Sequence, residues 1–238
     1  MVDFVRLMDP KSIQIENSEE FFEDSNWVFE PKINGRRIQT LITNKIEFAG
    51  RYARDASENI SSFSWKFREI VKDLQSLKLP KYTLFDGEVH LPGRPVSQTL
   101  QIINSDVDDA IRLQEQEGHL QYVIFDILAF DGISYTSRIL SDRRKRLLSV
   151  VKPSRNVKLI EQVESTKSKY DLWNKILNST NEEKGVVFKF CESEYECDRS
   201  KWWRKLKKTE TYDGVILGFK LHNKQPDEFV ASIEVGQY

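Results

Sequence analysis

WVFEPKINGRRIQTLITNKIEFA, residues 27–49, decides the fold. WVFEPKI (Trp27–Ile33) and RRIQTLI (Arg36–Ile42) run apolar or alternate with period two, and KIEFA repeats the pattern at residues 45–49. Turn residues separate the three segments, so they read as successive strands. The same signature returns at residues 82–91 (YTLFDGEVHL, broken by Pro92-Gly93), 120–130, 157–160, 185–190, 202–207, 214–220 and 229–235. Helical spacing is confined to a few stretches. Phe63, Phe67, Ile70, Val71 and Leu74 predict one amphipathic helix over residues 61–77. Further helices are expected over residues 106–116, over 143–150 with Ser141-Asp142 as its cap, and near 168–178. Many strands without regular βαβ alternation predict an α+β fold with mainly antiparallel sheets.

The 238 residues are enough for one large domain, or a domain with a small appendage. Charged residues make up 31% of the chain, yet the formal net charge is −1, so polyanion binding must come from local basic clusters. Three such clusters stand out: Arg143-Arg144-Lys145-Arg146, residues 199–208, and Arg36, Arg37, Arg51 and Arg54. No apolar run approaches the ~20 residues of a membrane span, and the N-terminus lacks a secretory layout. Cys191 and Cys197 lack zinc-site spacing, and His90, His119 and His222 are scattered. Those counts argue against a disulfide framework, a Cys/His nucleophile or a histidine metal site, and for a reducing compartment.

Lys32-Ile33-Asn34-Gly35-Arg36-Arg37 is the first stretch with chemistry in it. A lysine attacks phosphorus only when its amine is neutral, which takes cationic neighbours or desolvation. A lysine ending an apolar strand, with a glycine turn and arginines behind it, meets that need. A surface lysine at a strand end would show the same six residues, so the companions decide. Asp86-Gly87-Glu88 closes a strand. Tyr122-Val123-Ile124-Phe125-Asp126-Ile127-Leu128 is an apolar strand carrying an aromatic-acid pair. Lys184-Gly185-Val186-Val187-Phe188-Lys189 and Lys205-Leu206-Lys207 complete the set. Lys205 and Lys207, two apart on a strand, share a face.

In that order these segments resemble the motifs of the covalent nucleotidyltransferase superfamily, which includes polynucleotide ligases and capping enzymes. KxDGxR is matched by Lys32, Gly35 and Arg37. S/T-R-x-G is matched loosely by Gly50-Arg51-Tyr52-Ala53, and DGE is intact as Asp86-Gly87-Glu88. EGxVxK is matched from Gly185 to Lys189, and K-x-K at Lys205 and Lys207. YVIFDILAFDGISYTSRILSDRRKRL, residues 122–147, looks most like bacterial and viral DNA ligases, and Arg199-Ser200 and Trp203 point the same way.

The resemblance implies the adenylation domain of an ATP-dependent DNA ligase: an ATP-grasp-like α+β fold with two mainly antiparallel sheets flanked by helices around an ATP cleft. It implies AMP carried on Lys32, with Lys205 and Lys207 neutralising the α-phosphate. Glu30, Arg37, Arg51, Glu88, Phe125 and Lys189 would bind the nucleotide, with Phe125 stacked on adenine. Glu88 would also meet Mg²⁺ or Mn²⁺, with Glu183 (or Glu182) a second candidate. The implied partner is nicked duplex DNA, met by a monomer in the cytoplasm or nucleus during repair, replication or recombination.

Two positions depart from the family pattern. Asn34 stands at its aspartate and Lys184 at its glutamate. An amide contributes no charge to a metal, and a lysine repels one. A divergent branch with a rebuilt metal site is the reading preferred here, ahead of a change that traps an intermediate or a weakened enzyme. Residues 1–208 are expected to form the nucleotidyltransferase domain, and 209–238 the start of an OB-fold too short for the five strands of a barrel. Such a chain is expected to seal a pre-adenylated nick better than it adenylates itself. The rivals are an RNA ligase on the same fold, a nick-binding module without catalysis and, more remotely, a capping guanylyltransferase.

Overall fold

The strands predicted from residues 27–49 form consecutively, but they divide between two sheets. The computed structural model describes residues 2–50, 60–179, 183–208, 214–221 and 230–237. The chain begins with strand β1 (Asp9–Ile13), helix α1 (Glu19–Glu23), β2 (Trp27–Ile33), β3 (Arg36–Ile42) and β4 (Ile46–Gly50). It continues through α2 (Ile60–Lys66), α3 (Arg68–Ser76), β5 (Thr83–His90), α4 (Val96–Asn104), α5 (Val107–Glu117) and β6 (Gln121–Phe130). After β7 (Ile133–Ser134) come α6 (Leu140–Val150), β8 (Val157–Leu159), α7 (Thr166–Asn178), β9 (Glu183–Phe190) and β10 (Arg199–Lys207). Last are β11 (Gly214–Leu221) and β12 (Val230–Gln237).

The chain divides into two compact units, Met1–Lys207 and Lys208–Tyr238. In the first, one sheet has the order β1-β10-β9-β2 and the other β4-β3-β5-β6-β7, with β8 beside β6. Every neighbouring pair is antiparallel except β1 with β10 and β6 with β8, so the α+β expectation of mainly antiparallel sheets holds. In the second unit the described strands β11 and β12 pair antiparallel.

Asn34-Gly35 carries the chain from the smaller sheet to the larger. A Cβ on Gly35 would lie 2.2 Å from the Val89 carbonyl oxygen, so only glycine lets this crossing press against β5. Each sheet has its own apolar cluster. Helices α2, α3 and α6 cover the larger sheet with Phe63, Phe67, Ile70 and Leu147 against Phe48 and Tyr122. Helices α1 and α7 cover the smaller with Phe21, Phe22 and Trp173 against Phe29 and Phe188. A third cluster joins Met8 and Trp203 of the smaller sheet's side to Leu41, Leu84 and Leu128 of the larger.

Two expectations are corrected here. The single helix over residues 61–77 is two, because Phe67 leaves helical geometry (φ −100°, ψ 35°). Its ring stacks on Phe63 at 5.4 Å and meets Phe48 edge-on at 5.1 Å, so core packing bends the helix while keeping its apolar stripe. Ser141-Asp142 do not cap α6, which starts at Leu140 with Ile139 at the cap and no side-chain cap bond. The Leu140 and Ser141 amides donate instead to the carbonyls of Ser193 and Cys191, so a loop satisfies the helix end. Strand β1 and helix α4 add to the elements expected from the sequence. The mostly polar β1 is a strand through its parallel pairing with β10, about 190 residues further along the chain.

Candidate active site

A cleft of about 540 Å³ opens where the sheets face each other, lined by Glu30, Lys32, Arg37, Glu88, Phe125, Lys189 and Lys205 from both. Seven of the residues singled out from the sequence therefore meet in one place. Lys207 is exposed, one step further along β10. Arg51, Arg54, Glu182 and His222 lie outside the described residues.

The strand register of the smaller sheet explains the grouping. Val28, Lys189 and Trp203 form one cross-strand row, and Glu30, Val187 and Lys205 the next. One step outward stand Lys32 on β2 and Lys207 on β10, with Gly185 paired to Lys207. Lys32 is half-buried. Burial lowers its pKa below 10.5, and the charges of Lys205, Lys207 and Lys184 lower it further against the opposing pull of Glu88. Glu88 takes a hydrogen bond of 3.2 Å from the Gly35 amide. Burial pushes its carboxyl up to about 7, although Lys32 and Arg37 pull the other way.

Deeper in the cleft the charges are already paired. Lys189 Nζ lies 2.6 Å from Glu30 Oε2, and Gln162 Nε2 donates to Glu30 Oε1 at 2.9 Å. The Lys189 ammonium also sits 4.6 Å from the Phe125 ring centre and 4.0 Å from that of Trp203. Arg37 is held as firmly. Its Nε and Nη2 donate to the two oxygens of Asp86 at 3.1 and 2.7 Å, and Nη1 donates to the Met8 carbonyl at 2.8 Å. Tyr195 closes this network by donating to Asp86 Oδ2 at 2.7 Å and accepting from the Met8 amide at 3.1 Å. Sequence reading missed Tyr195 altogether. It stands alone in an acidic loop, and only the fold brings it beside Asp86.

One sequence reading changes. Arg143, counted in a basic cluster, is fully buried: its Nε and Nη2 donate to the two oxygens of Asp126 at 2.8 and 2.9 Å. Arg144 donates to the Ile160 carbonyl, and Arg146 lies 4.8 Å from the centre of the Phe130 ring. The backbone of Glu183 pairs with that of Ile33. Among the described residues no group of three His, Cys, Asp or Glu side chains is placed to hold a metal ion. Asp86 and Glu30 are engaged by Arg37 and Lys189, which leaves Glu88 as the acid facing Lys32.

Comparisons with known proteins point one way. The family model described as the ATP dependent DNA ligase domain matches residues 8–207. A DNA ligase of Thermococcus fumicolans is 27% identical over 219 residues, covering 88% of this chain and 37% of the relative. An SPbeta prophage-derived DNA ligase-like protein, LigB, of Bacillus subtilis (strain 168) is 26% identical over 200 residues, 83% of this chain and 67% of that one. The chain thus spans little more than a third of the Thermococcus ligase. A mycobacterial DNA ligase D solved with ATP shares the fold at a TM-score of 0.66 and 18% identity, covering 98% of this chain and 67% of that one. With a match that runs through both sheets and every residue of the cleft, this chain belongs to the ATP-dependent DNA ligase domain family.

Proposed function

We infer that the cleft binds ATP and that Lys32 accepts AMP from it, as the first step of sealing a 5′-phosphate/3′-hydroxyl nick in duplex DNA. The observation carrying this reading is a half-buried lysine with a lowered pKa, ringed by amines at the mouth of a cleft with an aromatic floor. Its neutral Nζ attacks the α-phosphorus, the bond to the bridging oxygen breaks, and pyrophosphate leaves as the nitrogen sheds its proton to solvent. Lys205 and Lys207 neutralise charge building on the α-phosphate oxygens. Phe125 takes the adenine ring, and the paired Glu30 and Lys189 hold the floor beneath it. Arg37, fixed by Asp86, is a rigid cation at the cleft wall. An oxygen of the 5′-phosphate then attacks the same phosphorus and breaks the P–N bond. Finally the 3′-hydroxyl attacks the activated 5′-phosphate and AMP departs.

A divalent cation arriving with the triphosphate would meet Glu88, and would lean on phosphate oxygens for its other ligands. Incubation with α-³²P-ATP and Mg²⁺ or Mn²⁺, followed by denaturing electrophoresis, tests the first step. An acid-labile label absent from Lys32→Ala is expected. An unlabelled chain that still seals a pre-adenylated nick places the defect in that step. An unlabelled chain that seals nothing removes the enzymatic reading. Comparing nicked DNA with nicked RNA decides the strand.

A further inference from the structure

The outermost row of the smaller sheet is irregular. Between Glu30 and Ile33, β2 advances three residues while its partner β9 runs four, from Val187 to Glu183. Two residues of β9, Lys184 and Gly185, therefore oppose the single residue Lys32, the arrangement of a β-bulge. Gly185 makes it possible. Its φ is +133°, and a Cβ there would lie 1.9 Å from the Leu206 carbonyl oxygen. In a regular ladder Gly185 alone would face Lys32, and Lys184 would turn to the opposite side of the sheet. The extra residue brings Lys184 round beside Lys32 instead, and the charge of Lys184 acts on the Lys32 amine. Lys184 is exposed, whereas Lys32 and Lys205 line the cleft, so it stands at the mouth.

We propose that Lys184 is a triphosphate-binding residue, which the bulge at Gly185 brings to the cleft mouth to hold the phosphates beyond the one that Lys32 attacks. This rests on the reading of the cleft as an ATP site. A purine over Phe125 and an α-phosphorus at Lys32 leave the β- and γ-phosphates pointing outward, where Lys184 and Lys207 flank the exit on adjacent strands. The lysine that replaces the family's acid thus exchanges a metal-binding charge for a direct phosphate contact, worth most where local carboxylates are few.

The test compares an ATP analogue carrying methylene between the α- and β-phosphorus, which blocks transfer, with AMP, which lacks the outer phosphates. Equilibrium binding of each is measured on the full chain, Lys184→Gln and Lys184→Glu, at two salt concentrations. Lys184→Gln should weaken the triphosphate analogue about tenfold, roughly 1.4 kcal/mol, and Lys184→Glu should weaken it more, with AMP affinity unchanged in both. Equal losses on both nucleotides, or no loss on either, overturn the proposal. So does wild-type chain that binds the analogue no better than AMP. Radiolabel transfer from ATP is run in parallel. Transfer without a Lys184 effect sinks the proposal alone, and a Lys184-dependent preference for triphosphate without transfer sinks the adenylation reading alone.

Discussion

If Lys32 is the nucleophile as proposed, it would react only through its neutral form, and the residues that set its pKa would set the rate. Lys205, on the next row of the same sheet, is one of three amines lowering it. Lys205→Gln should slow self-adenylation near neutral pH, because removing its charge lets the Lys32 pKa rise and leaves less neutral amine, and the deficit should shrink as pH rises. A deficit constant with pH would mean that Lys205 acts on the phosphate and leaves the amine alone. Glu88 titrates in the opposite sense. Its folded pKa of about 7 lies above its ordinary 4.5, so the folded chain holds a proton that the unfolded chain has released. The stability from that proton is complete below about 4.5 and is lost as pH rises through about 7. Melting temperatures of wild type and Glu88→Gln should therefore diverge across this window, with wild type losing ground at the upper end. Parallel curves would refute the buried-acid account.

Strands and turns were legible in the sequence where the signal is local. The period-two runs of β2, β3 and β5 and the Asn34-Gly35 turn are of that kind, and they place Lys32, Arg37 and Glu88 together. Long-range pairing left no such mark. The polar strand β1 depends on β10, the start of α6 depends on the 191–193 loop, and Tyr195 depends on Asp86, 109 residues away. The bulge in β9 belongs to the same class. Glycine in EGxVxK reads as a turn residue, yet its necessity comes from the Leu206 carbonyl on a neighbouring strand. Gly185→Ala should cost on the order of 1–3 kcal/mol from backbone conformation alone, measured by urea unfolding, with the steric clash added. It should also abolish triphosphate preference in whatever fraction folds. A stable variant with unchanged nucleotide binding would show that the bulge has no such role.

Charge at the scale of the whole chain is nearly balanced, so the proposed affinity for DNA would depend on which basic side chains can meet phosphate. Counting the run Arg143-Arg144-Lys145-Arg146 as four phosphate contacts would add roughly −3.6 to the slope of log affinity against log salt. The fold leaves far less. Arg143 is spent on Asp126 inside the protein, Arg144 on the Ile160 carbonyl, and Arg146 lies over Phe130 with its Nε bonded to the Tyr135 hydroxyl at 3.1 Å. Lys145, with a side chain 80% exposed and paired only at 3.8 Å with the half-exposed Asp142, is the member of the run best placed for a phosphate. Lys145→Gln should therefore reduce the salt slope for nicked duplex by about 0.9 and leave the melting temperature near that of wild type. Arg143→Met should do the reverse. It strands a buried carboxylate, costing roughly 3–5 kcal/mol of stability, while the salt slope of the folded fraction stays as it was. A steep loss of slope in Arg143→Met would mean that α6 opens on DNA and releases the arginine from Asp126, and the helix would then be a moving part of the proposed DNA-binding surface.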